Sequence, residues 1–382
     1  MTSIPTLKQQ IAELINTPSI SSVNPDFDQS NVDVIHLLAD WLTTLGFKIE
    51  IQTLPGQDDK ANLIATLGSG PGGLVLAGHT DTVPYDEGRW KTDPFTLTEM
   101  NQRLYGLGTS DMKAFLAIAI EAARSFDAKQ LKSPIIIVAT ADEESSMAGA
   151  KMLVESQRPQ ASYAVIGEPT GLRPIRMHKG ILMEAIRLQG QSGHSSDPSL
   201  GNNAMEGMHR VITDLINWRQ ELQAQYTNPL FSVPVPTLNL GHIHGGDNPN
   251  RICADCELHI DLRPLPGMDI GELRAMLNQR LQQLLADSGL ELSVTSLFEG
   301  TPAMETPADS PIIQATEKLT GYSAGAVAFG TEGPYLNQMG INTVVMGPGD
   351  IDQAHQPDEF LALDRIEPTI NILKKLIAQF CL

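Results

Sequence analysis

The sequence is poor in cysteine and has no long apolar run. Three cysteines among 382 residues are too few for a disulfide framework, which favours a reducing cytoplasm. No apolar run reaches the roughly 18 residues that a membrane-spanning helix needs. The N-terminal residues also lack the apolar core of a signal peptide, so we expect a cytoplasmic protein.

Basic residues are scarce as well. Lys and Arg total 26 against 45 for Asp and Glu, which gives a formal net charge of -19. A chain this acidic repels phosphate backbones and anionic lipids, so neither nucleic acid nor a membrane surface is an expected partner. Hydrophobic residues make up 41% of the chain, enough for a large core, and the length suits about two to three domains.

Helical and strand-like segments alternate over residues 1–180 and again over residues 301–382. The strand-like segments are continuous apolar and β-branched runs, as at residues 135–139 and 163–166. Such runs are typical of strands buried on both faces of a mixed or parallel sheet. The two stretches therefore predict one α/β domain, a mixed sheet flanked by helices.

Residues 181–300 follow a different order of strand, helix, strand, strand, helix and strand. This βαββαβ order is that of the ferredoxin-like fold. The sequence therefore predicts a smaller domain of residues 181–300, inserted into the larger one.

Some motifs look like binding sites but are weak. The glycines of GSGPGG, at residues 68–73, match a dinucleotide-binding spacing, but a strand-like run follows instead of a helix. Cys253 and Cys256 have zinc-ribbon spacing without a second pair, which favours structural cysteines. His242 and His244 share one face of a predicted strand, and support of the next turn is the alternative to metal binding.

Five apolar strand ends, or the loops beside them, carry imidazole and carboxylate side chains. The segments are LVLAGHTD with His79 and Asp81, YGLGTSDMK with Asp111, IIIVATADEE with Asp142, Glu143 and Glu144, YAVIGEPT with Glu168, and GPGDIDQAHQPDE with His355. Each segment alone has a structural explanation. Asp111, for example, can cap the helix after it, and the three consecutive acids can be a solvated loop.

Together, the five segments favour a metal site. Ligands of open α/β sheets lie beyond the carboxyl ends of the strands, and carboxylates clustered there repel each other unless a cation neutralises them. Imidazole and carboxylate without thiolate are ligands of zinc, cobalt or manganese hydrolytic sites. The charges of Asp111, Glu144, Glu168 and a hydroxide balance those of two divalent ions. Asp81, two residues after His79, can accept the second imidazole N–H.

The ordered set GHTDTVP, GLGTSDMK, ADEE, GEPT and AHQPDE resembles the zinc aminoacylase/carboxypeptidase family of co-catalytic metallo-hydrolases over essentially the whole chain. The resemblance implies two divalent metal ions per subunit, zinc above all, with cobalt able to substitute. It also implies that the inserted domain is a lid through which the chain forms a homodimer.

The resemblance implies roles for residues at matching positions. The implied terminal metal ligands are His79, Glu144, Glu168 and His355, with Asp111 as the bridging ligand. Asp81 is implied to orient His79, and Glu143 to act as the general base. His194, in the lid segment SGHSS, is implied to reach the partner subunit's site and polarise the substrate carbonyl. A cis peptide bond is expected between Asp111 and Met112.

Candidates for substrate binding lie in both predicted domains. Asn250, Arg251 and Arg263 are candidates for the substrate carboxylate, because the guanidinium fork binds carboxylates in a bidentate manner. A surface ion pair is the alternative for each arginine. The segment GTEG resembles a substrate-binding loop near the metals, with contacts expected from Gly330, Thr331 and Gly333.

The lid segments are most similar to those of family members that hydrolyse N2-acetyl-L-ornithine to acetate and L-ornithine in arginine biosynthesis. The alternatives are another amide, such as N-succinyl-diaminopimelate or a dipeptide, and a non-catalytic metal-dependent binding protein. A succinyl group would require an extra cation in the acyl pocket, and Glu143 argues against a pure binding protein. A nucleotide-dependent enzyme is disfavoured by the incomplete glycine motif. The residue that meets the substrate's amine is left unassigned.

Overall fold

The structure, a computed structural model, describes residues 4–382. The chain divides into two compact units. The first consists of the described residues up to Arg176, of Glu305–Gly325 and of Thr331–Leu382. The second consists of Met177–Met304 and of Ala326–Gly330, a short segment that the sequence-based division assigned to the larger domain.

Helices and strands alternate along most of the chain. The helices are α1 (Leu7–Asn16), α2 (Val32–Thr44), α3 (Lys113–Ala123), α4 (Ala148–Ser156), α5 (Ala204–Gln225), α6 (Ile270–Leu285), α7 (Pro311–Thr320), α8 (Gly333–Gln338) and α9 (Ile366–Cys381). The strands are β1 (Lys48–Leu54), β2 (Gln57–Leu67), β3 (Leu74–His79), β4 (Thr98–Met100), β5 (Arg103–Tyr105), β6 (Ile135–Thr140), β7 (Tyr163–Ile166), β8 (Ile175–His178), β9 (Leu182–Gln189), β10 (Thr237–Gly245), β11 (Asp255–Arg263), β12 (Glu291–Ser296), β13 (Met304–Glu305), β14 (Gly325–Val327), β15 (Asn342–Val345) and β16 (Phe360–Ala362). Within residues 4–382, no helix has both the length and the apolar character needed to cross a bilayer.

The large sheet is mixed, with the order β1-β2-β6-β3-β7-β15-β8-β13 and with β14 paired to β8. Strands β6, β3, β7 and β15 run parallel to one another, whereas β1 and β2 pair in antiparallel fashion and β2 is antiparallel to β6. Every residue of β3 and β6 is buried, as continuous apolar runs predict. The predicted mixed α/β sheet is confirmed.

The parallel strands determine where the polar residues gather. Helix α3 packs against β3 and β6, and all of its residues except Glu121 are buried. Because β3, β6 and β7 point the same way, their carboxyl ends meet at one edge of the sheet. His79 ends β3 at this edge, and the residues after β6 and β7 follow there.

The second unit contains an antiparallel sheet of order β10-β11-β9-β12, against which α5 and α6 pack. Burial alternates along β11, as expected for a sheet with one covered face. The predicted ferredoxin-like βαββαβ order is confirmed. His242 and His244 lie on exposed parts of β10, beside a bulge in its pairing with β11.

Some elements were not predicted from the sequence. Strand β1 has polar residues between its apolar ones and is partly exposed, so it forms no continuous apolar run. Strand β11 begins at Asp255, so Cys253 precedes it. Cys253 and Cys256 are both free thiols in the second unit's core, consistent with the structural role predicted for them.

Candidate metal centre

Six acidic and imidazole side chains gather at the carboxyl edge of the parallel strands. His79 ends β3, Glu143 and Glu144 follow β6, and Glu168 follows β7. The loop before α3 contributes Asp111, and the loop between β15 and β16 contributes His355. The strand order therefore brings together residues that are up to 276 positions apart in the chain.

Asp111 lies between the two histidines. Its Oδ1 is 3.2 Å from Nε2 of His79, and its Oδ2 is 3.6 Å from Nε2 of His355. Glu168 Oε1 lies 3.8 Å from Nε2 of His79, and Glu144 Oε2 lies 3.1 Å from Nε2 of His355. Each imidazole thus faces one oxygen of Asp111 and one further carboxylate, an arrangement suited to a carboxylate that bridges two cations.

The donor atoms of this cluster fit divalent cations. In each of two overlapping sets, His79–Asp111–Glu144 and His79–Glu143–Glu168, the donor atoms lie within 4.8 Å of one another. Oε1 of Glu168 is buried and has no hydrogen-bond partner among residues 4–382. Imidazole and carboxylate donors without thiolate suit zinc and similar ions, and a buried orphan oxygen is what a cation would satisfy.

The pKa shifts of the clustered side chains also favour a metal site. Burial, reinforced by nearby carboxylates, raises the pKa values of Glu143 and Glu168 well above their usual range. The hydrogen bond with Glu144 raises the pKa of His355 to about 9, against the effect of burial. Burial opposes ionisation of Asp111 too, but the hydrogen bond from His79 lowers its pKa. Protons and metal ions compete for such groups.

Asp81 lies beside His79 and contacts it with its main chain. Nδ1 of His79 lies 3.0 Å from the main-chain carbonyl of Asp81 and 3.7 Å from the carboxylate Oδ1. The other carboxylate oxygen accepts the N–H of Glu144 at 3.0 Å, whereas Oδ1 has no hydrogen-bond partner among the described residues. In this structure the main-chain carbonyl of Asp81, rather than its carboxylate, is within hydrogen-bond distance of His79.

Asp142 points away from the cluster, toward a buried lysine that sequence reasoning missed. Its Oδ1 accepts hydrogen bonds from Lys60 Nζ at 2.8 Å and from Ser21 Oγ at 2.9 Å. Lys60 also donates to Asp28 at 2.8 Å. Asp142 has a φ of 55°, in the left-handed region. This network fixes the turn from which Glu143 extends.

Glu359 was also missed, although it lies in the segment AHQPDE. One of its carboxylate oxygens accepts the N–H groups of Ser110 and Asp111 at 2.6 and 2.9 Å, and the other accepts the N–H of Gly108 at 3.0 Å. Glu359 is buried, and it ties the loop of Asp111 to the loop of His355. The peptide bond between Asp111 and Met112 is cis, as expected.

A third missed residue is Glu332, within the predicted loop GTEG. It is buried, burial raises its pKa to about 7, and its Oε1 has no hydrogen-bond partner in the described part of the chain. Next to it, the N–H of Gly333 donates to Thr331 Oγ1 at 3.0 Å. Thr331 and Gly333 belong to the first unit, whereas Gly330 belongs to the second.

The remaining predicted residues belong to the second unit. His194 and Arg251 form an antiparallel bridge, and Ser195 N–H donates to the carbonyl of Asn250 at 3.1 Å. Arg251 pairs with Asp247, and both side chains are exposed. Arg263 pairs with Asp261 at the far end of β11, whose nine residues span about 26 Å. The structure thus brings His194, Asn250 and Arg251 together and separates Arg263 from them.

Imidazole and carboxylate donors at the ends of parallel strands, with the buried carboxyl of Glu143 beside them, define a metal-dependent hydrolase. Comparison with family models narrows this class. The model described as peptidase family M20/M25/M40 matches residues 75–379, and the chain belongs to this family.

Known proteins with similar sequences or folds agree with the family. Acetylornithine deacetylase of Proteus mirabilis (strain HI4320) is 53% identical over 379 residues, which cover 99% of this chain and 98% of the relative. The M20 family metallo-carboxypeptidase Sso-CP2 from Sulfolobus solfataricus is 19% identical, with a TM-score of 0.76 over 98% of each chain. The Bacillus subtilis YXEP protein, a dinuclear metal-binding peptidase of the M20 family, is 15% identical, with a TM-score of 0.68 over 97% of each chain. The family resemblance of the sequence motifs is confirmed.

Proposed function

We propose that this protein hydrolyses the N-acetyl amide of N2-acetyl-L-ornithine to acetate and L-ornithine, as a step of arginine biosynthesis. The observation that carries the proposal is 53% identity with an acetylornithine deacetylase over 99% of the chain. An identity that extends along the whole chain includes the residues of both units. We also propose a cytoplasmic location, which the three free cysteines support.

The donor cluster is the proposed site of two divalent ions. The terminal ligands in this proposal are His79, Glu144, Glu168 and His355, with Asp111 as the bridge between the ions. The position of Asp111 between the two imidazoles supports this arrangement. When bound, such ions polarise an amide carbonyl and lower the pKa of a water molecule. Zinc is the proposed metal and cobalt a substitute, because both accept nitrogen and oxygen donors.

Glu143 is the proposed general base. It takes the proton from the attacking water and passes it to the amine nitrogen of the departing ornithine. Burial and the neighbouring carboxylate of Glu168 raise the pKa of Glu143 well above that of an exposed glutamate. A raised pKa suits a group that must first accept a proton and then return it. Asp81 holds His79 through its main-chain carbonyl while Glu143 acts.

His194 is the proposed donor to the substrate carbonyl, acting on the site of a partner subunit. Its Nδ1 accepts the main-chain N–H of Ser196 at 3.2 Å, which leaves the proton on Nε2. The proposed homodimer forms through the second unit. In the described chain, β10 pairs only with β11, and Ile243 on it is 53% exposed. A strand with one free edge can pair with another chain.

The substrate carboxylate is proposed to bind Asn250 and Arg251, which adjoin His194 in the fold. The substrate carboxylate can take the place of Asp247 beside Arg251 at little cost, because exposed ion pairs contribute on the order of 1 kcal/mol or less. Arg263 cannot share that carboxylate within one protomer, because the length of β11 separates it from Arg251. The main chain at Gly330, Thr331 and Gly333 is the proposed further contact to the substrate.

A turnover assay on metal-stripped protein tests the proposal. Release of free amine is measured from N2-acetyl-L-ornithine, N-succinyl-diaminopimelate, a dipeptide and a panel of N-acetyl amino acids, with and without zinc or cobalt. The expected result is metal-dependent turnover that favours acetylornithine. Preference for another amide would refute the substrate but not the metal site. Metal binding without any turnover would instead indicate a binding protein.

A further inference from the structure

A small cavity lies beside His355 in the first unit. Its volume is about 140 Å³, and its wall combines polar side chains with apolar and aromatic ones, including Val83, Tyr85, Trp90 and Leu107. Among the described residues that line it, Asp86 is the one carboxylate. The cavity thus combines apolar and aromatic surface with a single carboxylate.

We propose that this cavity receives the cationic side chain of the substrate's amino acid, with its methylene groups against Tyr85 and Trp90 and its ammonium group at Asp86. The inference rests on the proposed function, since it assigns the group that recognises the amine of N2-acetyl-L-ornithine. It names a determinant of specificity and leaves the chemistry of amide cleavage unchanged.

The cavity adjoins the donor cluster, because His355 belongs to both. The imidazole Nε2 lies 3.1 Å from Glu144 and 3.6 Å from Asp111, so this residue borders the donor cluster. The same residue is part of the cavity wall. A substrate with its amide at the cluster carries its side chain one atom beyond the amide nitrogen. The cavity is therefore within reach of that side chain.

The walls suit an alkylammonium group. The methylene groups of the side chain gain from burial against Tyr85 and Trp90. Tyr85 meets Phe95 edge to face, with 5.2 Å between the ring centroids, which fixes its ring. Asp86 pairs at 3.3 Å with Arg89, but the two side chains are 57% and 74% exposed. Such an exposed pair is weak, so a substrate ammonium can replace Arg89.

The other charged groups of the candidate substrates do not suit this cavity. The α-carboxylate of an amino acid, or the free carboxylate of a succinyl group, would be repelled by Asp86. An acetyl group is too short to interact with the carboxylate of Asp86. Of the groups on acetylornithine, the side-chain ammonium alone matches both the apolar wall and the charge.

The test compares kcat/KM for N2-acetyl-L-ornithine and N-acetyl-L-norvaline, which has the same carbon chain without the amine. With Asp86→Asn, the preference for the ornithine substrate is expected to fall about 2- to 5-fold, as for the loss of an exposed ion pair. Glu87→Gln removes the adjacent acid, which does not line the cavity, and should leave the preference unchanged.

The outcomes separate this inference from the proposed function. Wild-type protein that turns over neither substrate, or that shows no preference for ornithine, refutes the proposed function. A wild-type preference that survives Asp86→Asn refutes the cavity assignment alone, as does an equal loss of both activities. A loss of preference confined to Asp86→Asn supports the assignment.

Discussion

The two histidines of the donor cluster occupy very different surroundings. The side chain of His79 is 1% exposed at the end of a fully buried strand, whereas that of His355 is 54% exposed in a loop. His355 also has a φ of 58°, in the left-handed region. One side of the centre is therefore built into the sheet, and the other side is held by loop contacts and faces solvent. A buried side gives fixed geometry, and an exposed side gives a substrate access.

The largest expected effect concerns Glu143, on the buried side. Glu143→Gln keeps the shape of the side chain but removes the proposed base, so kcat should fall roughly 10²- to 10⁴-fold. Steady-state kinetics with N2-acetyl-L-ornithine measure the loss, and elemental analysis should find the metal content of the variant unchanged. Retention of kcat within a few-fold of wild type would show that another group moves the proton.

Replacement of each histidine by alanine tests the comparison directly. His79→Ala leaves Asp111 and Glu168 buried without their imidazole partner, so the metal-free protein should lose about 3 kcal/mol of stability. His355→Ala removes a half-exposed imidazole from Glu144 and should cost less, about 1 kcal/mol, because solvent reaches this pair. Urea unfolding of the metal-free variants measures both values. Equal losses would contradict the distinction between the two sides.

Lys60 tests the rigidity of the buried side. Lys60→Met leaves Asp142 buried without its cation, so we expect a loss of about 3 kcal/mol and a lower kcat with little change in KM. Lys48→Met, on the exposed face of β1, is the matched control and should have no effect on either quantity. If the two variants behave alike, the network around Asp142 does not position Glu143.

The last test concerns Glu359, on the loop side. Glu359→Gln places an amide where three N–H groups converge, at an expected cost of about 2 kcal/mol and a weaker affinity for zinc. Competition with a chelator of known affinity measures the zinc binding. Asp358→Asn changes the neighbouring acid, which contacts Lys91, and should leave zinc affinity unaltered. An unchanged affinity in Glu359→Gln would show that the loop of Asp111 holds its position without this contact.

The strand ends were predictable because buried parallel strands leave continuous apolar runs in the sequence. The run at residues 163–166 coincides with β7, and the polar residues after such runs are the ones that the structure brings together. Asp142, Glu143 and Glu144 are equivalent in the sequence, but only the fold directs Asp142 to Lys60, 82 positions away.

Details that depend on competition between partners were not predictable. The spacing of His79 and Asp81 permits a hydrogen bond between the side chains. It cannot show that one carboxylate oxygen of Asp81 accepts the main-chain N–H of Glu144 instead. The hydrogen bonds that Glu359 accepts are equally absent from the sequence pattern. Their donors are main-chain N–H groups, which every residue except proline has. Strand β1 was missed since its pattern reflects partial exposure.

The bond from Gly108 to Glu359 joins positions that are 251 residues apart. During synthesis, the loop of Asp111 leaves the ribosome long before Glu359 and His355 are made. The growing chain can therefore form the strands around His79 early, but its metal centre stays incomplete until nearly the whole chain has been translated. Contacts of such separation form late, since a long loop must close before they contribute. Metal binding is thus expected to follow synthesis and folding of the chain rather than to guide them.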